Sequence, residues 1–357
     1  MRTRSTAALS ALLFAVCISG DKTYSAEPSV EEVFASVHTS VVTLWVQGET
    51  GLLDAQGAAE TESGNGSGVL LEGGRILTAA HVVHSADAVT VEYADGTRVP
   101  GRIIGSVVQG DVALLQVDDA PPAGVRPAIL GDSDQVRVGS RCFVVGAPLG
   151  LTHTLTVGYI SARRGRDHPT LDLLNIEHFQ TDASINPGNS GGPMFDMNGR
   201  VIGIVSFNRT TTGASVGLGF VVTSNTARRH LLERNSIWSG MTEYYLTGSV
   251  AQAFQLPEGQ SGFLLQRIAK DSPADRLGLV GGSIPVTLDE TSILIGGDIL
   301  LQAMGVRLDS PAAGLELLNA LPDIGPTTRV SAVVLRSGKI VELEATASDL
   351  APWLAKR

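Results

Sequence analysis

The feature that most constrains the fold is a series of short apolar segments between about residues 27 and 235, separated by turns rich in glycine, aspartate and serine. Many short strands with turn signals at even spacing are typical of all-β sandwiches and barrels. The 41 glycines and the aromatic content of 5% agree with a turn-rich β protein. We therefore predict a β-barrel arrangement for this part of the chain. Representative segments are residues 41–46, 68–71, 88–93, 112–117, 141–145 and 201–205.

The sequence Gly-Asn-Ser-Gly-Gly-Pro at residues 188–193 places Ser190 among glycines. A serine hydroxyl becomes an effective nucleophile only when a base removes its proton. The oxyanion that then develops needs backbone N–H donors aimed at it. Glycines suit that need because they reach backbone conformations that other residues resist. Taken alone, however, the run also fits a tight Gly-Pro turn.

Two further segments carry the residue types that would activate such a serine. His81 follows an apolar run and two small residues, and Asp111 opens the apolar segment 112–117. A carboxylate at the mouth of a buried strand is costly unless it is paired, and an imidazole N–H is a suitable partner. The order His81, Asp111, Ser190 is that of the chymotrypsin triad. Each residue alone fits a structural histidine, a turn aspartate or a loop serine, so the hypothesis depends on their joint occurrence.

Three motifs resemble the HtrA (DegP-like) family of trypsin-fold serine proteases. They are Thr-Ala-Ala-His at residues 78–81, Asp-Val-Ala-Leu-Leu at residues 111–115 and Thr-Asp-Ala-Ser-Ile-Asn-Pro-Gly-Asn-Ser-Gly-Gly-Pro at residues 181–193. The longest run is highly specific for that family, and residues 144–150 and 216–222 resemble further family segments. The resemblance implies a mainly β protein with two six-stranded barrels and an active site between them.

The same resemblance implies a role for each motif residue. His81 is the general base and then the general acid, Asp111 orients its ring, and Ser190 forms the acyl-enzyme. The backbone N–H groups of Gly188 and Ser190 form the oxyanion hole. This mechanism requires no cofactor.

The resemblance also places the substrate pocket. Its base lies near Ser184, an uncharged residue that favours small or medium apolar side chains in the substrate. Ile204, Val205 and Ser206 are predicted to form the strand that pairs with substrate. The glycine-rich segment 64–68 lacks the Lys-Ser/Thr of a phosphate-binding loop, and we interpret it as a mobile hinge.

After about residue 235 the pattern changes to a mixture of strands and short helices. We predict a strand at 262–268, a helix capped by Ser272 with Pro273 at its first position, a second helix from Ser310 to about Leu321, and a hairpin across Ser337-Gly338. This order resembles a PDZ domain, so a small α+β domain is expected to follow the barrels. A PDZ domain binds an extended C-terminal peptide as an added strand and captures its carboxylate.

The PDZ resemblance places the carboxylate loop at Trp238, Ser239, Gly240 and Met241. The family usually has an apolar residue where Ser239 stands. Residues 281–295 exceed a minimal PDZ turn and are predicted to form an extra hairpin or loop. The expected organisation is a leader at 1–26, a protease domain at 27–235 and a PDZ domain at 236–350.

The N-terminus predicts export. Arg2 and Arg4 precede an apolar stretch from about residue 7 to residue 18, which is the layout of a secretory signal peptide. Cys17 fits a lipoprotein box poorly, and we predict no lipid anchor there. The family resemblance implies a location in the periplasm or cell envelope, substrates that are unfolded or misfolded envelope proteins, and an assembly built on homotrimers.

Charge and composition limit other functions. The 26 basic and 36 acidic residues give a net charge of −10 without a basic patch, which argues against nucleic-acid binding. The histidines are scattered and no Cys/His cluster occurs, so no metal site is predicted. Cys142 lies in an apolar segment and is interpreted as a small core residue rather than a nucleophile.

Two alternatives to a general protease remain open. One is a chaperone or peptide-binding scaffold with little proteolysis, which a degenerate triad would have favoured. The other is a sensor protease that cuts one signalling substrate and ignores unfolded proteins in general.

Overall fold

The computed structural model describes residues 28–53, 59–147, 150, 153–165, 175–208, 216–234, 238–288, 290–310, 312–314, 317 and 324–353. The predicted leader, Cys17 and most of the predicted second helix at 310–321 lie outside the described residues. No helix among the described ranges is long and apolar enough to cross a membrane.

Six strands close the first barrel in the order β1-β2-β3-β6-β5-β4. Its apolar side chains point inward, and Leu44, Leu70, Ile76 and Leu115 are completely buried. A helix, α1 (Val30–Val37), precedes the barrel and begins at a capping box between Ser29 and Glu32. The strands are β1 (Val41–Leu53), β2 (Ala59–Leu71), β3 (Arg75–Thr78), β4 (Ala88–Glu92), β5 (Arg98–Val107) and β6 (Val112–Gln116).

The second barrel also has six strands. Strand β11 pairs with both β8 and β12, which closes the ring β8-β9-β10-β13-β12-β11. A short strand, β7 (Ile129–Leu130), adds to β12 in parallel. The predicted double β-barrel is therefore confirmed. The ring strands are β8 (Arg141–Gly146), β9 (Thr154–Arg164), β10 (His178–Thr181), β11 (Pro193–Asp196), β12 (Arg200–Asn208) and β13 (Gly219–Thr223).

Each barrel has an apolar core of its own, and a third buried cluster joins the two barrels. Val69 and Leu114 from the first barrel lie in the same buried cluster as Phe143, Val145 and Phe195 from the second. The rings of Phe143 and Phe195 stack with their centroids 5.3 Å apart. Because burial of apolar surface is the main favourable term in folding, this shared cluster fixes how the barrels face each other across the site described below.

A short helix, α3 (Ser224–Ala227), continues into a wider turn at Arg228–Leu232 and ends the barrel region. The C-terminal region is a sheet in the order β14-β15-β18-β20-β21, with β19 paired to β18. The predicted strand at 262–268, the Ser272 cap and the hairpin across Ser337-Gly338 are confirmed. The PDZ assignment and the boundaries at 235 and 350 stay predictions.

The strands of this region are β14 (Met241–Leu246), β15 (Gly262–Ile268), β18 (Ile299–Ala303), β19 (Val306–Arg307), β20 (Arg329–Arg336) and β21 (Lys339–Thr346). Its short helices are α4 (Gly248–Ala253), α5 (Pro273–Arg276) and α6 (Ala347–Leu350).

The segment 281–295 is a separate hairpin of β16 (Ile284–Leu288) and β17 (Thr291–Ile295). The Gln266 amide fastens it to β15 by donating to the carbonyl oxygen of Leu294 at 3.1 Å and accepting from its N–H at 2.7 Å. A Cβ atom on Gly51 would lie 2.8 Å from the Leu294 side chain, so the hairpin also contacts β1.

The C-terminal sheet is docked on the first barrel through the loop that precedes β14. The indole N–H of Trp238 donates to the carbonyl oxygen of His84 at 2.7 Å, and Nε2 of His84 lies 2.7 Å from the carbonyl oxygen of Met241. Trp238 is only 6% exposed. The loop is therefore buried between the barrel and the sheet.

Candidate active site

His81 is held at the barrel surface by one turn of helix, α2 (Ala80–Val83), which follows β3. Ala80 and Val83 on the inner side of this turn are buried in the barrel core. The His81 side chain points outward and is 49% exposed. Ala80 and Val83 therefore hold the helical turn against the core, while the His81 side chain remains accessible to solvent.

Asp111 lies beside this histidine. Its φ of 46° is in the left-handed region, which turns the carboxylate toward α2 as the chain enters β6 (Val112–Gln116). Nδ1 of His81 lies 2.9 Å from Oδ2 and 3.0 Å from Oδ1 of Asp111. The backbone N–H of His81 also donates to Oδ1 at 2.9 Å. Two groups of one residue are thus bound to the same carboxylate.

The Asp111 carboxyl is ionised at neutral pH. Burial on its own would raise its pKa, but the hydrogen bonds and charge of His81 and the hydroxyl of Ser206 together lower it. Since a carboxylate can only accept hydrogen bonds, Nδ1 of His81 carries a proton. In the neutral ring this leaves Nε2 free to accept the proton of a nucleophile.

Ser206 supports the carboxylate from the second barrel. Its hydroxyl donates to Oδ2 of Asp111, and the residue is 1% exposed. The sequence predicted Ser206 as part of the strand that pairs with substrate, which stays a prediction for its backbone, and its side chain lies behind the Asp111 carboxylate. No local signal reveals this contact, because the two residues are 95 positions apart.

Ser190 lies across the same cleft as His81. Among the described residues, its hydroxyl has one hydrogen-bond partner, the carbonyl oxygen of Ser206 at 3.4 Å. No hydrogen bond between Ser190 and His81 is formed in this state. Catalytic hydrogen bonds are often long or misaligned in a free enzyme and tighten when substrate binds. Rotation of the Ser190 side chain is therefore the step that would complete the triad.

The turn before the serine leaves two donors free. Gly188 has a φ of 99° and Gly191 a φ of 81°, conformations that glycine adopts without strain. The N–H of Asn189 bonds to the carbonyl oxygen of Asn186 at 3.0 Å. Within the described ranges the N–H groups of Gly188 and Ser190 have no acceptor, so both are available to an oxyanion.

Ser67 is a site residue that the sequence reasoning missed. Its N–H donates to the carbonyl oxygen of Ser190 at 2.8 Å, and its hydroxyl donates to that of Gly188 at 2.7 Å. The same hydroxyl accepts from the N–H of Ala147 at 2.9 Å. This fully buried serine on β2 therefore holds the nucleophile turn from the opposite barrel.

The mobile hinge predicted at residues 64–68 is wrong, because the segment lies inside β2. A Cβ atom on Gly66 would come 2.7 Å from the Val82 side chain and 3.1 Å from the carbonyl oxygen of Ser190. Glycine within a strand pattern often marks close approach of another backbone. That signal was present in the sequence.

The predicted substrate pocket is only partly found. Ser184 is exposed, and its carbonyl oxygen accepts from the Thr156 hydroxyl at 3.1 Å. Ile204 and Val205 are 0% exposed and pair with both β11 and β13, so they do not line a pocket or offer a free edge. The reason is that β12 is an interior strand until it reaches Ser206.

The predicted carboxylate loop is tied down on several sides. Besides the contacts of Trp238 and Met241 with His84, the carbonyl oxygen of Ser239 accepts from Ala274 at 3.1 Å and that of Gly240 accepts from Ala269 at 2.7 Å. A peptide-binding role for these residues stays a prediction.

The other candidate nucleophile is inert. Cys142 is completely buried in β8, and burial raises the pKa of its thiol to about 11. Among the described residues, no three His, Cys, Asp or Glu side chains are grouped in a way that could hold a metal ion.

Comparisons with known proteins agree with this geometry. Residues 66–204 match the family model described as a trypsin-like peptidase domain. The periplasmic pH-dependent serine endoprotease DegQ of Escherichia coli (strain K12) is 35% identical over 299 residues, which cover 81% of this chain and 60% of DegQ. A probable periplasmic serine endoprotease, DegP-like, of Halomonas elongata is 34% identical over 303 residues, covering 83% of this chain and 58% of that protein.

Solved structures give the same relationship. The HtrA-type protease AlgW with a tripeptide is 29% identical, with a TM-score of 0.50, and the match covers 89% of this chain and 96% of AlgW. AlgW with a decapeptide is 28% identical, with a TM-score of 0.50, covering 89% and 98%. The chain spans about 60% of the length of the curated relatives it matches. It carries a trypsin-like peptidase domain and is homologous to the HtrA-type, DegP-like serine proteases.

Proposed function

We propose that this protein is an exported serine endopeptidase of HtrA type, with His81, Asp111 and Ser190 as its catalytic residues. The observation that carries the proposal is the His81–Asp111 pair, joined by two hydrogen bonds, which faces Ser190 across a cleft. Beside it lie two backbone N–H groups that have no acceptor among the described residues. An arrangement of base, acid and free donors around one serine is suited to acyl transfer.

The mechanism follows from these contacts. Ser190 turns from the carbonyl oxygen of Ser206 toward Nε2 of His81, which removes its proton as the hydroxyl oxygen attacks the peptide carbonyl. The oxyanion accepts hydrogen bonds from the N–H groups of Gly188 and Ser190. Asp111 stabilises the imidazolium, which then protonates the leaving amine. Water attacks the acyl-enzyme by the same steps, with His81 again as the base.

Substrates and location are part of the proposal. The uncharged Ser184 near the predicted pocket base supports cleavage after small or medium apolar side chains. The relatives named as periplasmic endoproteases support a periplasmic location, and the choice of unfolded envelope proteins as substrates rests on the family resemblance. The trimer-based assembly and binding of C-terminal peptides by residues 238–241 rest on the family resemblance.

The test is cleavage of reduced, unfolded casein by residues 27–357. Substitution Ser190→Ala should lower turnover by about a million-fold, because the triad acts as a unit. Ser292→Ala, at an exposed position on β17, is the matched control and should cleave as the wild type does.

Labelling with a fluorophosphonate provides a second readout that does not depend on the choice of substrate. Labelling of wild type but not of Ser190→Ala, without casein cleavage, would favour the sensor alternative. Equal casein cleavage by both proteins would exclude Ser190 as the nucleophile, and neither labelling nor cleavage would favour the scaffold alternative.

A further inference from the structure

The cleft that contains the catalytic residues extends to the C-terminal sheet. It has a volume of about 440 Å³. Gly188, Ser190 and His81 lie among the residues that line it, and so do Glu62 of β2 and Arg267 of β15. A residue from outside the two barrels therefore faces the same space as the nucleophile.

The position of this cleft identifies which part of a substrate it would hold. Among the described residues that line it, none belongs to β12 or β13. The carbonyl oxygen of Ser206 lies 3.4 Å from the Ser190 hydroxyl, and Ser206 is not among the residues that line this cleft. In the proposed mechanism His81 protonates the departing amine. The cleft that His81 lines is therefore the side that receives residues after the scissile bond.

Arg267 and Glu62 are the two charged residues at this end of the cleft. Nη2 of Arg267 lies 3.6 Å from Oε2 of Glu62, and their side chains are 35% and 67% exposed. An ion pair of this length and exposure is weak. A carboxylate from another molecule can therefore replace that of Glu62 at the guanidinium.

The side chains of Glu62 and Arg267 differ in how readily each can leave the ion pair. Glu62 is the more exposed side chain. Arg267 lies on β15, which pairs with β14, and its backbone N–H bonds to the Thr242 hydroxyl at 3.1 Å. A guanidinium presents a planar fork of N–H donors that matches the geometry of a carboxylate. Arg267 is therefore the group that a ligand would meet.

We propose that Arg267 makes the leaving-group side of the cleft a subsite for acidic side chains, so that bonds followed within a few residues by Asp or Glu are cleaved fastest. The inference rests on the proposed protease function. It adds a contribution of the C-terminal region to substrate selection at the active site itself.

The experiment uses peptides that are identical up to the scissile bond and carry Glu, Gln or Lys at one of the first four positions after it. We would measure kcat/KM for wild type, Arg267→Glu, Glu62→Gln and the control Arg307→Glu, which changes an exposed arginine on β19. At the most sensitive position, wild type should prefer Glu over Lys by about fivefold, the upper range for an exposed ion pair. Salt should reduce this preference.

The variants test whether Arg267 is the residue that sets this charge preference. Arg267→Glu should reverse the order to Lys over Glu, Glu62→Gln should increase the preference for Glu, and Arg307→Glu should match wild type. Equal rates for all peptides, or an unchanged order in Arg267→Glu, would overturn the proposal. So would a preference for Lys that disappears in Glu62→Gln.

Binding separates this inference from the proposed function. The same peptides, carrying a fluorophore, would be titrated against proteins that also carry Ser190→Ala, so that affinity is measured without turnover. Charge-ordered binding through Arg267 without cleavage by wild type would support the subsite and contradict the protease. Cleavage by wild type without any charge order in rate or affinity would leave the protease and remove the subsite.

Discussion

The two ends of the triad are held very differently. Asp111 accepts two hydrogen bonds from His81 and one from Ser206, whereas the one partner of the Ser190 hydroxyl within the described part of the chain is the Ser206 carbonyl oxygen at 3.4 Å, which is not the base. The base and acid come from one barrel and the nucleophile from the other. The contrast teaches that the orientation of the base is set in the free protein, while the contact between base and nucleophile is left for substrate binding to complete.

The first prediction concerns Asp111, which belongs to the more firmly held end of the triad. Asp111→Asn should lower kcat by about 10⁴-fold, because an amide in place of the carboxylate favours the wrong tautomer of His81. The folded structure should remain intact, which circular dichroism and urea unfolding would check. Asp118→Asn, at a carboxylate that is 76% exposed, is the matched control. A loss of less than tenfold would mean that His81 is oriented by other contacts.

The second prediction loosens the nucleophile end. Ser67→Ala removes the donor to the Gly188 carbonyl oxygen and the acceptor of the Ala147 N–H. We expect unfolding to become easier by about 1–3 kcal/mol, the cost of a buried unsatisfied group. Misplacement of the oxyanion donors should lower kcat by up to about 100-fold with little change in KM.

A steady-state comparison with the surface variant Ser292→Ala would separate these effects, and a rise in KM alone would contradict the assigned role of Ser67. Urea unfolding of the same two proteins measures the stability change.

The third prediction concerns the link between the two ends. Ser206→Ala removes a hydrogen bond to the Asp111 carboxylate, for a loss of about 1.5 kcal/mol or roughly tenfold in kcat/KM. That bond lowers the pKa of Asp111. Its removal should therefore raise the pKa of the Asp111 carboxyl, which an NMR titration of that carboxyl would measure. An unchanged pKa would show that the Ser206 hydroxyl does not act on Asp111.

The smallest effect is expected away from the triad, at His84. Because Nε2 must donate to the Met241 carbonyl oxygen, the neutral ring accepts the Ser106 hydroxyl at Nδ1, 2.8 Å away. Burial lowers the pKa of His84, against a smaller opposite effect of the Met241 bond. The folded state thus binds fewer protons than the unfolded state, so stability is fully present above about pH 6.5 and is lost as the pH falls below it.

His84→Gln should lose less stability than wild type between pH 7.5 and pH 5.5, measured as the shift of the urea midpoint. Part of the loss should remain, because burial also lowers the pKa of His178. Equal shifts in the two proteins would show that His84 is not a source of the pH dependence.

The sequence predicted what is encoded locally. His81, Asp111 and Ser190 each have a distinctive neighbourhood, and their joint order predicted a cluster that the folded chain does bring together. The strand at 262–268 and the Ser272 cap follow from apolar spacing and from Pro273 at a helix start.

Contacts between residues far apart in the sequence could not be predicted in this way. Ser67 meets Gly188 across 121 positions and Trp238 meets His84 across 154, and nothing in either neighbourhood identifies the partner. Ile204 and Val205 show the opposite problem, because an apolar segment looks the same whether it is an interior strand or a substrate-binding edge. Only the pairing of β12 with β11 and β13 decides between them.

The contacts of Ser206 with Asp111 and of Ser67 with Gly188 also determine when in folding the site can exist. Both join the two barrels, at separations of 95 and 121 residues. Contacts this distant must overcome a large loop-closure entropy and do not form early. A chain with only its first barrel closed has a histidine and an aspartate in place but no positioned serine. The proposed catalytic site is therefore assembled only when both barrels have closed.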